Sequence, residues 1–84
     1  MYEILIANYI EKISKEDVIN FAQKKGITLN NSETDIIYMY VKNHWRTFYN
    51  GNPNDILAEL KNKLETNTYH KLESLYKEYK NKIN

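Results

Sequence analysis

Only three residues in this 84-residue chain, Gly26, Gly51 and Pro53, break backbone regularity by their own chemistry. So little punctuation excludes collagen-like, linker-like and turn-rich all-β chains, which draw on glycine and proline at most reversals. Helix is what remains, and apolar spacing decides where. There is no cysteine, which removes disulfides, cysteine-ligated zinc, iron–sulfur clusters and thiol catalysis together. With 42% hydrophobic and 27% charged residues the chain falls in the globular range. Its length allows a single small helical domain over residues 1–84, without room for two independent cores.

Helical periodicity occurs five times. Tyr2, Ile6, Tyr9, Ile10 and Ile13 fall on one apolar face. Ser14 reads as an N-cap, with Asp17 in the capping-box position, and predicts a helix from Lys15 to Lys25. Val18, Phe21 and Ala22 of that helix face inward, and Gly26 stops it in the left-handed conformation. Ile27-Thr28-Leu29 is expected as an extended connector pinned by Ile27 and Leu29. Ser32 reads as the next cap, opening a third helix over Glu33 to Tyr49. Its stripe of Ile37, Tyr40, Val41, His44 and Phe48, widened by Tyr38, Trp45 and Tyr49, predicts the central helix. Asn52 as cap and Pro53 at the first position open a fourth helix carrying Ile56, Leu57, Leu60 and Leu64. Thr66-Asn67-Thr68 reads as a break before a fifth, with Tyr69, Leu72, Tyr76, Tyr79 and Ile83 in helical register. The expected fold is all-α, a compact bundle of about five short helices around the third.

The net charge is +1 and only the last third of the chain leans basic. That balance argues against a dedicated nucleic-acid binder. No apolar run approaches the ~20 residues of a membrane-spanning helix. Glu3, and the lack of a basic stretch before the first apolar run, argue against a secretory signal. The expected location is the cytoplasm, with no membrane contact.

Catalytic chemistry has few candidates. Two isolated glycines cannot form a phosphate-cradling loop. Ser14 and Ser32 are explained as caps, and Ser74 as helix surface. His44 lies on the apolar stripe and reads as a boundary histidine. His70 and Glu73 have the i, i+3 spacing of helix-borne metal ligands. No second pair completes such a site. No catalytic residue, cofactor or metal is therefore expected.

Aromatic content is the feature that stands out: eight tyrosines, two phenylalanines and one tryptophan. Tyr9, Tyr40, Tyr69 and Tyr76 are expected in the core. Within His44–Tyr49, however, Trp45, Arg46 and Tyr49 are of the types enriched in binding hot spots. They are candidate partner-binding residues. Tyr79 and Ile83, at the end of the fifth helix's stripe, are candidates for a homodimer contact. The alternative is a weak nucleic-acid association through Lys71, Lys77, Lys80 and Lys82. The second and third helices loosely imitate a helix-turn-helix, but Glu33 and Asp35 would turn phosphate away from the recognition position.

Ser14-Lys15-Glu16-Asp17-Val18 opens a helix that continues into Phe21-Ala22-Gln23-Lys24-Lys25-Gly26-Ile27-Thr28-Leu29. With Asn54-Asp55-Ile56-Leu57, and Glu65-Thr66-Asn67-Thr68 before a last helix reaching Tyr79, these pieces resemble the YqfT-like family of small uncharacterised proteins from Bacillus and relatives. The resemblance spans residues 12–83 and implies a small helical fold in a bacterial cytoplasm, without a role. The residues themselves point to a non-catalytic helical module that binds a protein partner.

Overall fold

Ser14 and Asn30 start two of the helices by the same device. The Ser14 hydroxyl accepts from the Asp17 N–H at 3.1 Å while the Asp17 carboxylate accepts from the Ser14 N–H at 3.0 Å. Asn30 and Glu33 repeat this reciprocal capping box, with the Glu33 N–H donating to Asn30 Oδ1 at 2.7 Å. Asn30, and not Ser32, is thus the cap of the third helix. Its side chain accepts from the Glu33 amide while its backbone N–H donates to the Glu33 carboxylate, and the helix starts two residues earlier. The computed structural model describes residues 2–83, with side chains through residue 81. Its elements are α1 (Tyr2–Lys12), α2 (Lys15–Lys24), α3 (Asn31–Asn50), α4 (Asn54–Lys63) and α5 (Thr66–Ile83), with no strand among the described residues. All-α architecture with five helices is therefore observed, although α3 and α5, at 20 and 18 residues, are not short.

Contacts divide the chain into two units, Met1–Gly51 and Asn52–Asn84. In the first unit α3 is the element that packs against both α1 and α2. Val18 and Ala22, one turn apart on α2, are buried, and Ile27 follows them at 2% exposure. Phe21 was expected inward with them but is largely exposed, with the Lys25 ammonium 5.9 Å from its ring centroid. At about 100° per residue it lies well away from the line joining Val18 and Ala22. The chain turns from α2 at Gly26, whose φ is +79°. Gly26 N–H donates to the Gln23 carbonyl at 3.0 Å, and Ile27 N–H donates to the Ala22 carbonyl at 2.8 Å. A Cβ at Gly26 would touch nothing within 4 Å, so only the backbone conformation opposes a side chain. Gly26→Ala is expected to destabilise by about 1 kcal/mol in a urea titration. Gly26→Asn should recover part of that loss, because asparagine tolerates the left-handed region.

The buried polar residues of α3 are Glu33 and Thr34, held by the cap itself: the Thr34 hydroxyl donates to the Asn30 carbonyl at 2.9 Å. Ile37, Tyr40, Val41, His44 and Phe48 are half-buried and none is fully enclosed. In the second unit α4 and α5 pack together. Ile56, Leu60 and Leu64 form an i, i+4, i+8 buried row, joined by Thr68 and Tyr69. The helix break lies at Leu64–Glu65, and Thr66-Asn67-Thr68, expected as the break, is helical. Thr68 is buried, which explains a polar triplet continuing a helix instead of ending one. At the start of α4, Pro53 caps one residue later than expected, while Asn52 Oδ1 still accepts from the Asn54 N–H at 3.1 Å.

Candidate functional site

Seven of the eleven residues of α1 are apolar or aromatic, yet none of the eleven is buried. The helical arrangement explains why. Glu3, Ile6, Ala7 and Ile10 are half-buried and occupy one arc of the helix. Tyr2, Leu5 and Tyr9 occupy the adjoining arc, within about 60° of one another, and are exposed at 73%, 65% and 60%. The apolar band therefore spans roughly 200° of the helix circumference, more than one packing partner covers, and Ile4, 68% exposed, lies beyond it. The single inward face expected from Tyr2 to Ile13 is thus two faces, and Tyr9 is not a core residue. Leu5, absent from the expected stripe, lies at the middle of the outward one.

Two polar contacts fix α1 on α3. Arg46 Nε donates to Glu3 Oε1 at 3.2 Å, and Lys42 Nζ donates to the Glu11 carbonyl at 2.8 Å. The second places a cation on the negative end of the α1 dipole. Both groups of the Arg46–Glu3 pair are solvated, so its worth is below about 1 kcal/mol, and its effect is to set orientation.

The expected cluster on α3 is assembled. The Arg46 guanidinium carbon stands 4.5 Å from the centroid of the Trp45 ring, and Tyr49 meets Trp45 at 6.3 Å between ring centroids. Trp45 and Tyr49 are half-buried and Arg46 is exposed. Through Glu3, this cluster borders the first turn of α1. Tyr79 is 41% exposed on α5 in the second unit; the side chains of Ile83 and Lys82 lie outside the described residues.

An open depression of about 440 Å³ lies along α3, lined by Lys15, Asp35, Tyr38, Met39, Lys42 and Asn43. Lys15 and Lys42 hold their ammonium groups 5.8 and 5.5 Å from the Tyr38 ring centroid. Each is already engaged. Lys15 pairs with Asp35 at 2.9 Å, and Lys42 serves the α1 carbonyl. The depression thus clips the end of α1 and the start of α2 onto α3.

The His44 and Tyr40 rings meet at a 43° tilt with centroids 5.4 Å apart, and the exposed His70 packs edge-to-face with Tyr69 at 5.8 Å between centroids. Glu73, the partner its spacing suggested for His70, instead accepts from the Tyr69 hydroxyl at 3.1 Å and faces Lys77 at 4.0 Å. Among the described residues no group of three His, Asp or Glu side chains gathers. Of the α5 lysines, Lys71 and Lys77 are exposed and Lys80 is half-buried. Lys71 and Lys77 point about 120° apart, so no single basic stripe forms among the described residues.

Burial pushes the Tyr69 phenol above its ordinary pKa, and the Glu73 hydrogen bond and charge push the same way. Burial alone raises Tyr76. Both pKa values are higher folded than unfolded, so the neutral phenols contribute stability that is complete below pH ~10. That contribution is lost as pH rises through the folded values. Alkaline titration followed by circular dichroism should show stability falling above that pH, and Tyr69→Phe should flatten the fall.

Comparison with protein-family models, with curated proteins and with solved structures returns no match. Function is read from the chain's own surface.

Proposed function

We propose that this chain is a non-catalytic protein–protein interaction module that docks through the outward row of α1, Tyr2, Leu5 and Tyr9. One observation carries the reading: the helix with the highest proportion of apolar side chains leaves four large ones in solvent, and three of them, Tyr2, Leu5 and Tyr9, are aligned. The largest contiguous apolar patch on a monomer, typically about 300–600 Å², is often its interaction site. Two tyrosines give such a patch rigid amphipathic area of the kind that forms hot spots. The bordering Trp45, Arg46 and Tyr49 extend the surface with residue types of the same class.

Photo-crosslinking tests the proposal. Benzoylphenylalanine in place of Tyr9 should yield discrete protein adducts in native lysate, whereas the same group in place of Lys24, on a polar stretch of α2, should not. Equal labelling from both positions, or none from Tyr9, refutes it. Adducts from Tyr9 that disappear with nuclease would transfer the reading to nucleic acid.

A further inference from the structure

The α1 row has an internal symmetry that selects its occupant. Its exposed members are Tyr2, Leu5 and Tyr9, and Lys12, also exposed, continues the row one turn on. The spacings of three, four and three residues are those of a helix–helix seam, and they read the same in both directions. Laid antiparallel across a twofold axis level with position 7, the row matches itself: Tyr2 meets Lys12 of the other copy and Leu5 meets Tyr9. Each match is chemically favourable. A lysine ammonium is placed on a tyrosine ring, an aliphatic side chain packs on an aromatic one, and antiparallel helix dipoles attract. A parallel pairing would instead bring Lys12 against Lys12 and set the two dipoles side by side in the same sense, which repels.

Resting on the interaction-module reading above, we infer that the partner is a second copy of this chain, joined α1 to α1 in that antiparallel register. The inward arc of α1 stays on α3, because the row lies on the adjoining arc, so the pairing needs no rearrangement of the first unit. Two tyrosines and a leucine, each about two-thirds exposed, offer roughly 400–500 Å² per copy. Both copies together bury about 800–1,000 Å², below the ~1,200 Å² of stable interfaces and in the range of weak, transient ones. An area of that size suits a weak, reversible dimer, and a Kd on the order of tens of micromolar sets the scale for the test.

Sedimentation equilibrium of the purified chain between 5 and ~300 µM, a range set to bracket that Kd, should move from the 10.1 kDa monomer toward about twice that mass. Leu5→Glu with Tyr9→Glu should keep it monomeric throughout with its helical ellipticity intact, since both side chains are solvent-facing. Should the double variant lose helicity, Lys12→Glu, a rim change, serves in its place and should weaken dimerisation several-fold. Register is read separately. Because the chain lacks cysteine, a mixture of Tyr2→Cys and Lys12→Cys chains should form the mixed disulfide faster than either homodisulfide. A wild-type monomer at the highest concentration overturns the inference, as does a dimer that the α1 variants leave intact and Tyr79→Asp dissolves. Faster homodisulfides overturn the register. A monomeric chain that still crosslinks from position 9 to another protein ends the second-copy inference while leaving the interaction-module reading standing.

Discussion

Replacing Ile27 by alanine is expected to lower the unfolding free energy by about 2–5 kcal/mol, a large part of what so small a chain has. Ile27 is the least exposed hydrophobic side chain of the core at 2%. Its backbone is tied by the N–H donated to the Ala22 carbonyl at 2.8 Å, directly after the left-handed Gly26. With main chain held on that side, the connector cannot settle into the space three deleted carbons leave, and the cavity cost adds to the lost transfer energy. Ile27→Val removes one methylene and should cost about 0.5–1.5 kcal/mol. Urea unfolding followed by ellipticity measures both. An alanine variant within 1 kcal/mol of the parent would show that the segment collapses freely.

The second large effect is expected at Tyr69. Tyr69→Ala should cost about 3–5 kcal/mol, as for other buried rings, whereas Tyr69→Phe should cost no more than about 1.5 kcal/mol. The difference separates the ring, which is buried beside the Ile56, Leu60 and Leu64 row, from the hydroxyl, which donates to Glu73. If the phenylalanine variant were as damaging as alanine, the hydrogen bond and not the packing would hold the start of α5. Heat denaturation at neutral pH distinguishes the outcomes, since the phenol is neutral there in either state.

Helix identity was legible wherever two independent signals agreed. At Ser14 and Asp17 the cap, the first-turn acid and the apolar run all begin together, and at Gly26 the stop follows two lysines. Where signals competed, sequence reading slipped. Ser32 and Asn30 are both good caps two residues apart, and the choice fell to Asn30 because Glu33 answers it. Thr66-Asn67-Thr68 has loop-like propensities, and tertiary burial of Thr68 overrides them. The outward face of α1 was hidden for a different reason. Periodicity reports that a helix has an apolar side, not how wide an arc its neighbour covers. With a band of roughly 200°, no one-dimensional pattern tells which half α3 takes. The α3 cluster was visible because Trp45, Arg46 and Tyr49 are near neighbours along one helix. Its link to Glu3 is a long-range contact that no local spacing encodes.

Trp45 is the chain's only tryptophan, and the cation lying over its ring is held by an acid on another helix. The molecule therefore carries an intrinsic optical gauge of its own helix pairing. When α1 stays on α3, the indole emits beneath a guanidinium; when α1 lifts, Glu3 departs and the guanidinium is free to swing into water. Emission excited at the red edge, where the eight tyrosines are silent, then changes. Glu3→Ala, which removes the acceptor, should reproduce the lifted spectrum in a folded chain. The docking of one helix becomes readable without any label.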